Sequence, residues 1–401
     1  MDNGLRDEVQ NKVLNTTKNN IVLEVATGFG KSYIAIRKIA QLHTSTSKIL
    51  IVVPRNVLID NWKQEFIKWH YQPLLPLITF TTYVSLPKHT GKWDIVVFDE
   101  AHHLSERCQE ALEHFEVKHS LFLSATLKRE HKEFIREWCK EDVEFINVST
   151  KKAIDNDVLP DPKILLYPIE LDNKTSNCIY YPKEAWKKLP PSKIVYYNYK
   201  DRWKAKRIKK TPYALKCTQE QYYKELDSLI HWYKNKNYNP VIKNLWLHKC
   251  GERLQWLSGL KASLVRKIII EYTILNYRMV IFCNTIEQSK EFSCPCVNSK
   301  VGTKYLDMFN KKQIDILAAV NCLNEGINLV DCQVGIFDSI NSSPVMQVQK
   351  QGRLLRHKNP ILIIPYFVGT REEEIIKKWL EDYDKSLIHK ILLDDKYHWK
   401  V

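Results

Sequence analysis

The chain has 401 residues, and its 44% hydrophobic and 27% charged residues are typical of a folded protein long enough for two or three domains. It has no signal-like leader and no run of about 20 apolar residues, and its ten cysteines lack the spacing of a zinc site, so we expect a reduced, cytoplasmic protein without a membrane partner. The net charge of +15 suits a polyanionic partner, with a dispersed solubility charge as the alternative.

The first 150 residues have the pattern of a parallel α/β sheet. Short apolar runs recur between helix-like stretches, at 21–25, 49–53, 94–98 and 121–123. The proline-rich segment 157–162 follows them and is typical of a connection between domains. We therefore predict a first domain over residues 1–153 and a second over residues 154–401.

The segment between the first apolar run and the next helix-like run is typical of a phosphate-binding loop. Residues 24–32, Glu-Val-Ala-Thr-Gly-Phe-Gly-Lys-Ser, lie between a strand and a helix, as a P-loop requires. Val25 stands where the general P-loop pattern has its first glycine, so a plain glycine turn is the alternative. Lys31 would reach the β- and γ-phosphates of ATP, and Ser32 would bind Mg²⁺. The residues predicted to bind the nucleotide here are Thr27, Gly28, Phe29, Gly30, Lys31 and Ser32.

Two adjacent carboxylates, Asp99 and Glu100, end a later apolar strand. A strand-end aspartate can hold Mg²⁺, and a neighbouring glutamate can orient and deprotonate the attacking water. Such a pair alone is more often part of a solvated loop, but together with a P-loop it indicates an ATPase site. We predict Asp99 and Ser32 as Mg²⁺ ligands, and Lys31, Asp99 and Glu100 as catalytic residues.

A second set of apolar runs begins at Met279. The runs are spaced widely enough for helical crossovers and lie at 279–283, 314–320, 334–337 and 361–364. This spacing predicts a second α/β domain.

The chain's positive excess lies between its two sets of strands. Residues 172–270 hold 22 Lys and Arg against 7 Asp and Glu, which equals the net charge of the whole chain. We expect this aromatic-rich segment to be a mostly helical insertion, helical from Thr218 onward. Because cations neutralise phosphates and aromatic rings stack on bases, it favours nucleic-acid binding, and the predicted contacts are Arg202, Trp203, Lys206 and Arg207. The alternatives are an aromatic core with a solvated lysine face, and a mobile basic loop.

The carboxylate segment belongs to a longer resemblance. Asp99-Glu100-Ala101-His102 and the P-loop together resemble the DEAD/DEAH-box branch of the superfamily 2 helicases. Ser124-Ala-Thr resembles the family's motif III, and three later segments resemble motifs IV, V and VI, at 280–285, 324–329 and 349–356. The resemblance implies two tandem RecA-like P-loop domains that hydrolyse ATP at their interface.

The resemblance also implies roles for residues outside the P-loop. Motif VI would complete the catalytic set from the second domain with Gln349, Arg353 and Arg356. The two arginines would be fingers that neutralise charge on the transferring phosphoryl group. Further nucleotide contacts would come from Gln10, Gly326 and Asn328. Backbone contacts to nucleic acid would come from Pro54 and Arg55 of motif Ia, Thr82 of motif Ib and Thr285 of motif IV.

The sequence as a whole predicts a monomeric ATP-dependent helicase or translocase. The Glu-Gly-Ile-Asn segment at 325–328 and the paired histidines after Ala101 resemble phage or mobile-element helicases related to recombination and restriction motors. On that ground we expect single-stranded or forked DNA as the partner, with RNA as the alternative. Two other functions stay open: an annealing or remodelling motor that does not separate strands, and a sensor or scaffold that uses ATP as a structural ligand.

Overall fold

The computed structural model describes residues 4–182, 191–207, 213–236, 239–298, 302, 304–320, 329–340, 354, 357–381 and 383–392. Its helices are α1 Gly4–Asn15, α2 Lys31–Leu42, α3 Val57–Lys68, α4 Glu106–Leu112, α5 Arg129–Trp138, α6 Thr150–Asp155, α7 Arg202–Arg207, α8 Gln219–Asn235, α9 Pro240–Ile274, α10 Ile286–Lys290, α11 Lys304–Asn310 and α12 Arg371–Trp379. Its strands are β1 Asn20–Val25, β2 Ile49–Val53, β3 Ile78–Thr82, β4 Gly91–Asp99, β5 Phe115–Ser124, β6 Val143–Val148, β7 Lys163–Ile169, β8 Cys178–Tyr180, β9 Val195–Asn198, β10 Tyr213–Cys217, β11 Met279–Cys283, β12 Cys296–Val297, β13 Ile316–Val320, β14 Val334–Ile336, β15 Ile361–Phe367 and β16 Ile388–Lys390.

The first sheet has the strand order β3-β2-β4-β5-β1-β6, and every pairing in it is parallel. Its central strands read as unbroken apolar runs because apolar side chains cover both faces. One face packs against α1, α2 and α3 through residues such as Val13, Ile36 and Phe66. The other face packs against α4 and α5 through residues such as Leu112 and Ile135.

The second sheet has the order β12-β13-β11-β14-β15-β7-β16, again with parallel pairings only. Its strand β7 comes directly after the proline-rich segment, before the insertion, and pairs with β15 and β16. The second half of α9 covers one face of this sheet, and α12 covers the other. The two sheets confirm the predicted fold class of two parallel α/β domains, whereas the boundary at 153/154 falls inside α6 and stays a prediction.

The basic insertion has two parts. Its first part is a small sheet of order β8-β10-β9 with the short helix α7, and the sequence pattern did not predict this sheet. Its second part is the pair α8 and α9, where α8 begins at Thr218 with a capping box completed by Gln221. Helix from Thr218 onward is therefore confirmed, but the segment before it is largely strand, because its tyrosines and Val195 suit a pleated, half-buried surface.

No helix in the described part of the chain is long and apolar enough to cross a membrane.

Candidate functional site

The loop between β1 and α2 has the backbone of a phosphate cradle. Gly28 and Gly30 have φ angles of 91° and 102°, which side chains of L-residues rarely adopt. Phe29 between them is buried, and its N–H donates to the Ala26 carbonyl at 3.2 Å, so the loop is anchored from its middle. A Cβ added at Gly30 would meet no atom within 4 Å, so there is open space in front of the first turn of α2. An anion fits there, because a helix N-terminus presents N–H groups and positive charge.

Polar groups beside this loop fit a nucleotide and its metal ion. The Lys31 ammonium donates to the Val25 carbonyl at 3.1 Å, directly behind the loop. Among the described residues, Thr27 Oγ1 and Glu100 Oε2 are buried without a hydrogen-bond partner. Because buried polar atoms are normally hydrogen-bonded, two such atoms in one cleft indicate a ligand that would satisfy them.

The carboxylates at the end of β4 lie in an electrostatically tense position. Burial, together with repulsion from Glu100, raises the pKa of Asp99 from its ordinary 3.8 to about 6. The Trp62 indole N–H, which donates to Asp99 Oδ2 at 2.8 Å, and the charge of Lys31 act in the opposite direction. Mg²⁺ would favour the charged form of Asp99, because an adjacent cation stabilises a carboxylate. The donor set, a carboxylate and the Ser32 hydroxyl, is the oxygen chemistry that Mg²⁺ prefers.

Contacts between the sequence motifs make one network of this site. His102 Nδ1 lies 3.5 Å from Glu100 Oε2 and 3.2 Å from Ser124 Oγ. Ser124 donates to the Thr126 carbonyl at 2.8 Å, which holds the Ser-Ala-Thr turn closed. The Asp-Glu-Ala-His segment and the Ser-Ala-Thr segment are therefore joined through one imidazole.

A buried glutamate joins the P-loop strand to the same turn. Glu24 Oε1 accepts the Leu127 N–H at 2.8 Å, and its Oε2 accepts from Asn147 at 2.8 Å and from Lys132 at 2.6 Å. Sequence reasoning had no role for Glu24, because its partners lie far along the chain.

Strand order explains why these segments meet. In a parallel sheet all carboxyl ends lie at one edge, where ligands of open α/β folds bind. Strands β1, β5 and β4 are consecutive neighbours, so the P-loop, the Ser-Ala-Thr turn and the Asp-Glu pair follow one another along that edge. Next to them, β2 and β3 end at Pro54 and Thr82, two of the residues predicted to contact nucleic acid.

Near the amino-terminal helix, the structure gives two predicted or unpredicted residues definite partners. Gln10 Oε1 accepts from Arg37 Nη1 at 2.8 Å, and its contact to adenine stays a prediction. Arg6 Nη2 donates to the Val158 carbonyl at 2.9 Å and lies 3.5 Å from the Gly28 carbonyl. Arg6 is thus a contact to the P-loop that the sequence did not indicate.

In the second domain only part of the predicted set can be placed. Thr285 follows β11 and caps α10, with its Oγ1 accepting the Gln288 N–H at 3.2 Å. The remaining predicted site residues of this domain, Gly326, Asn328, Gln349, Arg353 and Arg356, lie outside the described residues. Leu354, between the two arginines, is described: it is buried on the second sheet, against Gly335 of β14.

The insertion presents an exposed aromatic ring among cations. Trp203 on α7 is 53% exposed, with Lys204 Nζ 5.4 Å and Arg207 Cζ 5.3 Å from its ring centroid. Arg202 faces elsewhere, toward Glu225 of α8 and the Tyr199 hydroxyl. Of the four predicted contacts here, Trp203, Lys206 and Arg207 are exposed, whereas Arg202 is half-buried in an ion pair.

Comparison with known proteins agrees with this geometry. The family model for the type III restriction enzyme, res subunit, matches residues 5–76 and 76–129, and the model for the helicase conserved C-terminal domain matches residues 261–358. No curated protein matches the chain in sequence.

Solved helicase structures share the fold at low identity. The Hef helicase domain of Pyrococcus furiosus is 15% identical with a TM-score of 0.52, covering 93% of this chain and 97% of that one. Dbp5 of S. cerevisiae, bound to RNA and ADP BeF3, is 11% identical with a TM-score of 0.61, covering 98% and 90%. The ATP-dependent type ISP restriction-modification enzyme LlaBIII, bound to DNA, is 14% identical with a TM-score of 0.56, covering 99% of this chain and 32% of that one.

With two helicase-type domains in family order on two tandem RecA-like sheets, the chain belongs to superfamily 2 of the helicases. It therefore has the domain composition of an ATP-dependent nucleic-acid motor.

Proposed function

We propose that this protein is a nucleic-acid-dependent ATPase that moves on or unwinds DNA, with ATP and Mg²⁺ bound between its two RecA-like domains. One observation carries the proposal: the P-loop, the Asp99–Glu100 pair and the Ser-Ala-Thr turn lie side by side on one sheet edge and are joined by hydrogen bonds. A sensor or scaffold would need a nucleotide pocket but no water-activating glutamate.

The first domain supplies the groups for phosphate binding and water activation. The N–H groups of the Gly28–Ser32 turn and the Lys31 ammonium bind the β- and γ-phosphates. Asp99 and Ser32 hold Mg²⁺, which would neutralise charge on the phosphate oxygens. Glu100 orients the attacking water and takes its proton, and His102, 3.5 Å away, stabilises the carboxylate's orientation.

The second domain completes the site in this proposal. Arg353 and Arg356 reach the γ-phosphate, Gln349 lies beside it, and Gly326 and Asn328 contact the nucleotide, while Gln10 reads adenine from the first domain. An arginine finger contributes about 10³–10⁵ in rate in related systems. The buried seat of Leu354 on β14 supports a fixed position for the segment that carries both arginines.

Two surfaces would grip the nucleic acid. In the first domain, Pro54, Arg55 and Thr82 lie at adjacent strand ends next to the ATP site, and Thr285 lies at the matching strand-end position of the second domain. A strand held at both places would be moved when the domains close and open, because each grip then changes with nucleotide state.

The insertion forms the other surface. Trp203 would stack on an unpaired base while Lys206 and Arg207 neutralise phosphates, with Arg202 at the margin. Trp203→Ala should weaken binding of single-stranded DNA by about 1–3 kcal/mol and leave basal ATPase activity unchanged.

The deciding experiment measures ATPase turnover of the full chain with single-stranded, duplex and forked DNA and with RNA. We expect DNA stimulation, abolished in Glu100→Gln while that variant still binds ATP. The matched control is Glu113→Gln, an exposed carboxylate just after α4, which should behave like wild type. Turnover that survives Glu100→Gln, or no nucleic-acid stimulation at all, would refute the proposal.

A second candidate is a DNA translocase or annealing motor that does not separate strands. It is favoured by the match of the first domain to a restriction-enzyme subunit. Parallel strand-displacement and triplex-displacement assays distinguish the two, because a pure translocase removes the third strand without separating the duplex.

A further inference from the structure

Segments predicted to contact nucleic acid converge on the metal-binding carboxylate. Trp62 lies on α3, the helix that follows the Pro54 turn, and its side chain is 2% exposed. Its indole N–H donates to Asp99 Oδ2 at 2.8 Å. Tyr83, directly after Thr82, donates its hydroxyl to the backbone carbonyl of Asp99, also at 2.8 Å. Each of the two neighbouring strand ends therefore contributes one donor to the same aspartate.

We propose that Trp62 is a positioning residue for the metal site, and that Trp62 and Tyr83 together tie the nucleic-acid-contacting segments to Asp99. This inference rests on the proposed function. A buried indole N–H must find an acceptor, and here the acceptor is one oxygen of the carboxylate. The bond fixes the rotation of the carboxylate, so the second oxygen is presented to Mg²⁺ in one orientation.

The packing around Trp62 makes the link rigid. The Trp62 and Phe66 rings lie 6.2 Å apart, centroid to centroid, and Phe66 is fully buried in the core that covers the sheet. Protein cores are close-packed, so a shift of α3 moves the indole rather than being absorbed by voids. Binding of a strand at the start of α3 would thereby change how Asp99 is held.

The test replaces Trp62 by Phe in the full chain, which keeps an aromatic ring and removes the donor. Binding of a fluorescent, non-hydrolysable ATP analogue is measured over a Mg²⁺ titration and in EDTA. Because partners of metal ligands typically govern metal affinity by about 10- to 100-fold, the Mg²⁺ concentration for half-maximal binding should rise by about that factor. Binding in EDTA should stay unchanged, since the P-loop contacts remain.

The same helix end offers a matched control. Trp69 caps α3, and its indole N–H donates to Glu65 at 2.8 Å on the surface. Trp69→Phe removes an indole–carboxylate hydrogen bond of equal length, and neither binding measurement should change. Tyr83→Phe keeps the test possible if Trp62→Phe does not fold, and its Mg²⁺ requirement should rise in the same direction.

A folded Trp62→Phe chain with the Mg²⁺ dependence of wild type would overturn the inference. So would an equal loss of analogue binding in Mg²⁺ and in EDTA, because that indicates a general packing role. Failure of the wild-type chain to hydrolyse ATP would instead refute the proposed function, so the two failures are distinguishable.

Discussion

At the scale of single residues, Asp99 illustrates how a site can work against the stability of its own domain. Burial and the neighbouring Glu100 raise its pKa to about 6, so at neutral pH the folded chain holds a charge that the unfolded chain would hold more easily. Catalytic groups often impose such a cost, which the ligand then removes.

Asp99→Asn should therefore stabilise the metal-free protein above pH 6. An upward shift from 3.8 to about 6 corresponds to about 3 kcal/mol in favour of the neutral form. The folded state binds the proton more tightly than the unfolded state, so wild type loses stability as pH rises from about 4 to 6. Urea unfolding in EDTA, followed by tryptophan fluorescence at pH 4 and pH 8, should give the variant a gain at pH 8 that vanishes at pH 4.

Asp94→Asn is the control for this experiment. Asp94 is on the same strand, and hydrogen bonds from Lys118 and the Lys48 N–H lower its pKa. Removing its charge should give no gain at pH 8. An equal gain for both variants would contradict the assignment of strain to Asp99.

At the scale of elements, a buried ion pair joins the long helix α9 to α12 across the end of β15. Lys261 is 0% and Glu372 2% exposed, and they lie 2.7 Å apart. Lys261 also donates to the Pro365 carbonyl, and Glu372 accepts the Phe367 N–H. Lys261→Met should cost about 3–5 kcal/mol of unfolding free energy, because it leaves a buried carboxylate without its cation.

The surface pair of the same helix is the comparison for Lys261→Met. Lys377 and Glu373 are 2.8 Å apart, with Lys377 72% exposed, and Lys377→Met should cost less than about 1 kcal/mol. A double change of Lys261 and Glu372 to Met should recover part of the loss. Equal costs for the buried and the surface lysine in chemical denaturation would contradict this reading.

Another element-scale prediction concerns the contact of β14 with the motif VI segment. A Cβ at Gly335 would lie 2.1 Å from Leu354 Cδ1, and Leu354 is fully buried, so Gly335→Ala must displace the segment between Arg353 and Arg356. Small misplacement of reacting groups can cost about 10²-fold in rate, so we expect ATPase turnover to fall by up to that factor with ATP binding retained.

Gly259→Ala on α9 is the matched change, because its Cβ would meet no atom within 4 Å. In a helix interior this substitution should stabilise by about 0.5–1 kcal/mol and leave turnover unaltered. If Gly335→Ala has wild-type turnover, Leu354 does not set the position of the arginines.

The sequence predicted elements where burial alone decides them. The runs 49–53 and 279–283 correspond to β2 and β11 residue for residue, because a strand covered on both faces is apolar throughout. Strands β3 and β9 were missed, since β3 is a half-buried edge strand and β9 belongs to a small sheet with exposed residues. Their apolar content is diluted to the level of a loop.

At the scale of the whole molecule, the charge distribution predicts how binding responds to salt. The exposed cations of α7 lie within the segment that carries the chain's entire positive excess. Replacing Lys204, Lys206 and Arg207 together by Ala should reduce the slope of log K against log salt by about 0.7 for each lost phosphate contact on single-stranded DNA. The slope is measured by fluorescence anisotropy of a labelled oligonucleotide.

Lys92 and Lys118 provide the control for this slope. Both are exposed and lie away from the carboxyl edge of the first sheet, where they pair with Glu116 and Asp94. Their joint replacement by Ala should leave the slope unchanged. Equal slope losses in both sets would indicate a diffuse rather than a local charge effect.

The site was predictable where one segment carries the chemistry. The P-loop and the Asp-Glu pair are read directly, because strand, turn and helix follow one another within a few residues. The partners of those groups were not predictable: Trp62 and Asp99, or Glu24 and Leu127, are brought together only by sheet order. Local patterns identify the reacting groups, whereas their supports depend on the three-dimensional arrangement.

Arg6 has a practical consequence for protein engineering. A single guanidinium reaches both the phosphate loop, at the Gly28 carbonyl, and the peptide that leads into the second sheet, at the Val158 carbonyl. Chimaeras that exchange the front half with a distant homologue must therefore take α1 and residues 156–162 from one parent. A graft that splits them would leave the hinge without its N-terminal tether.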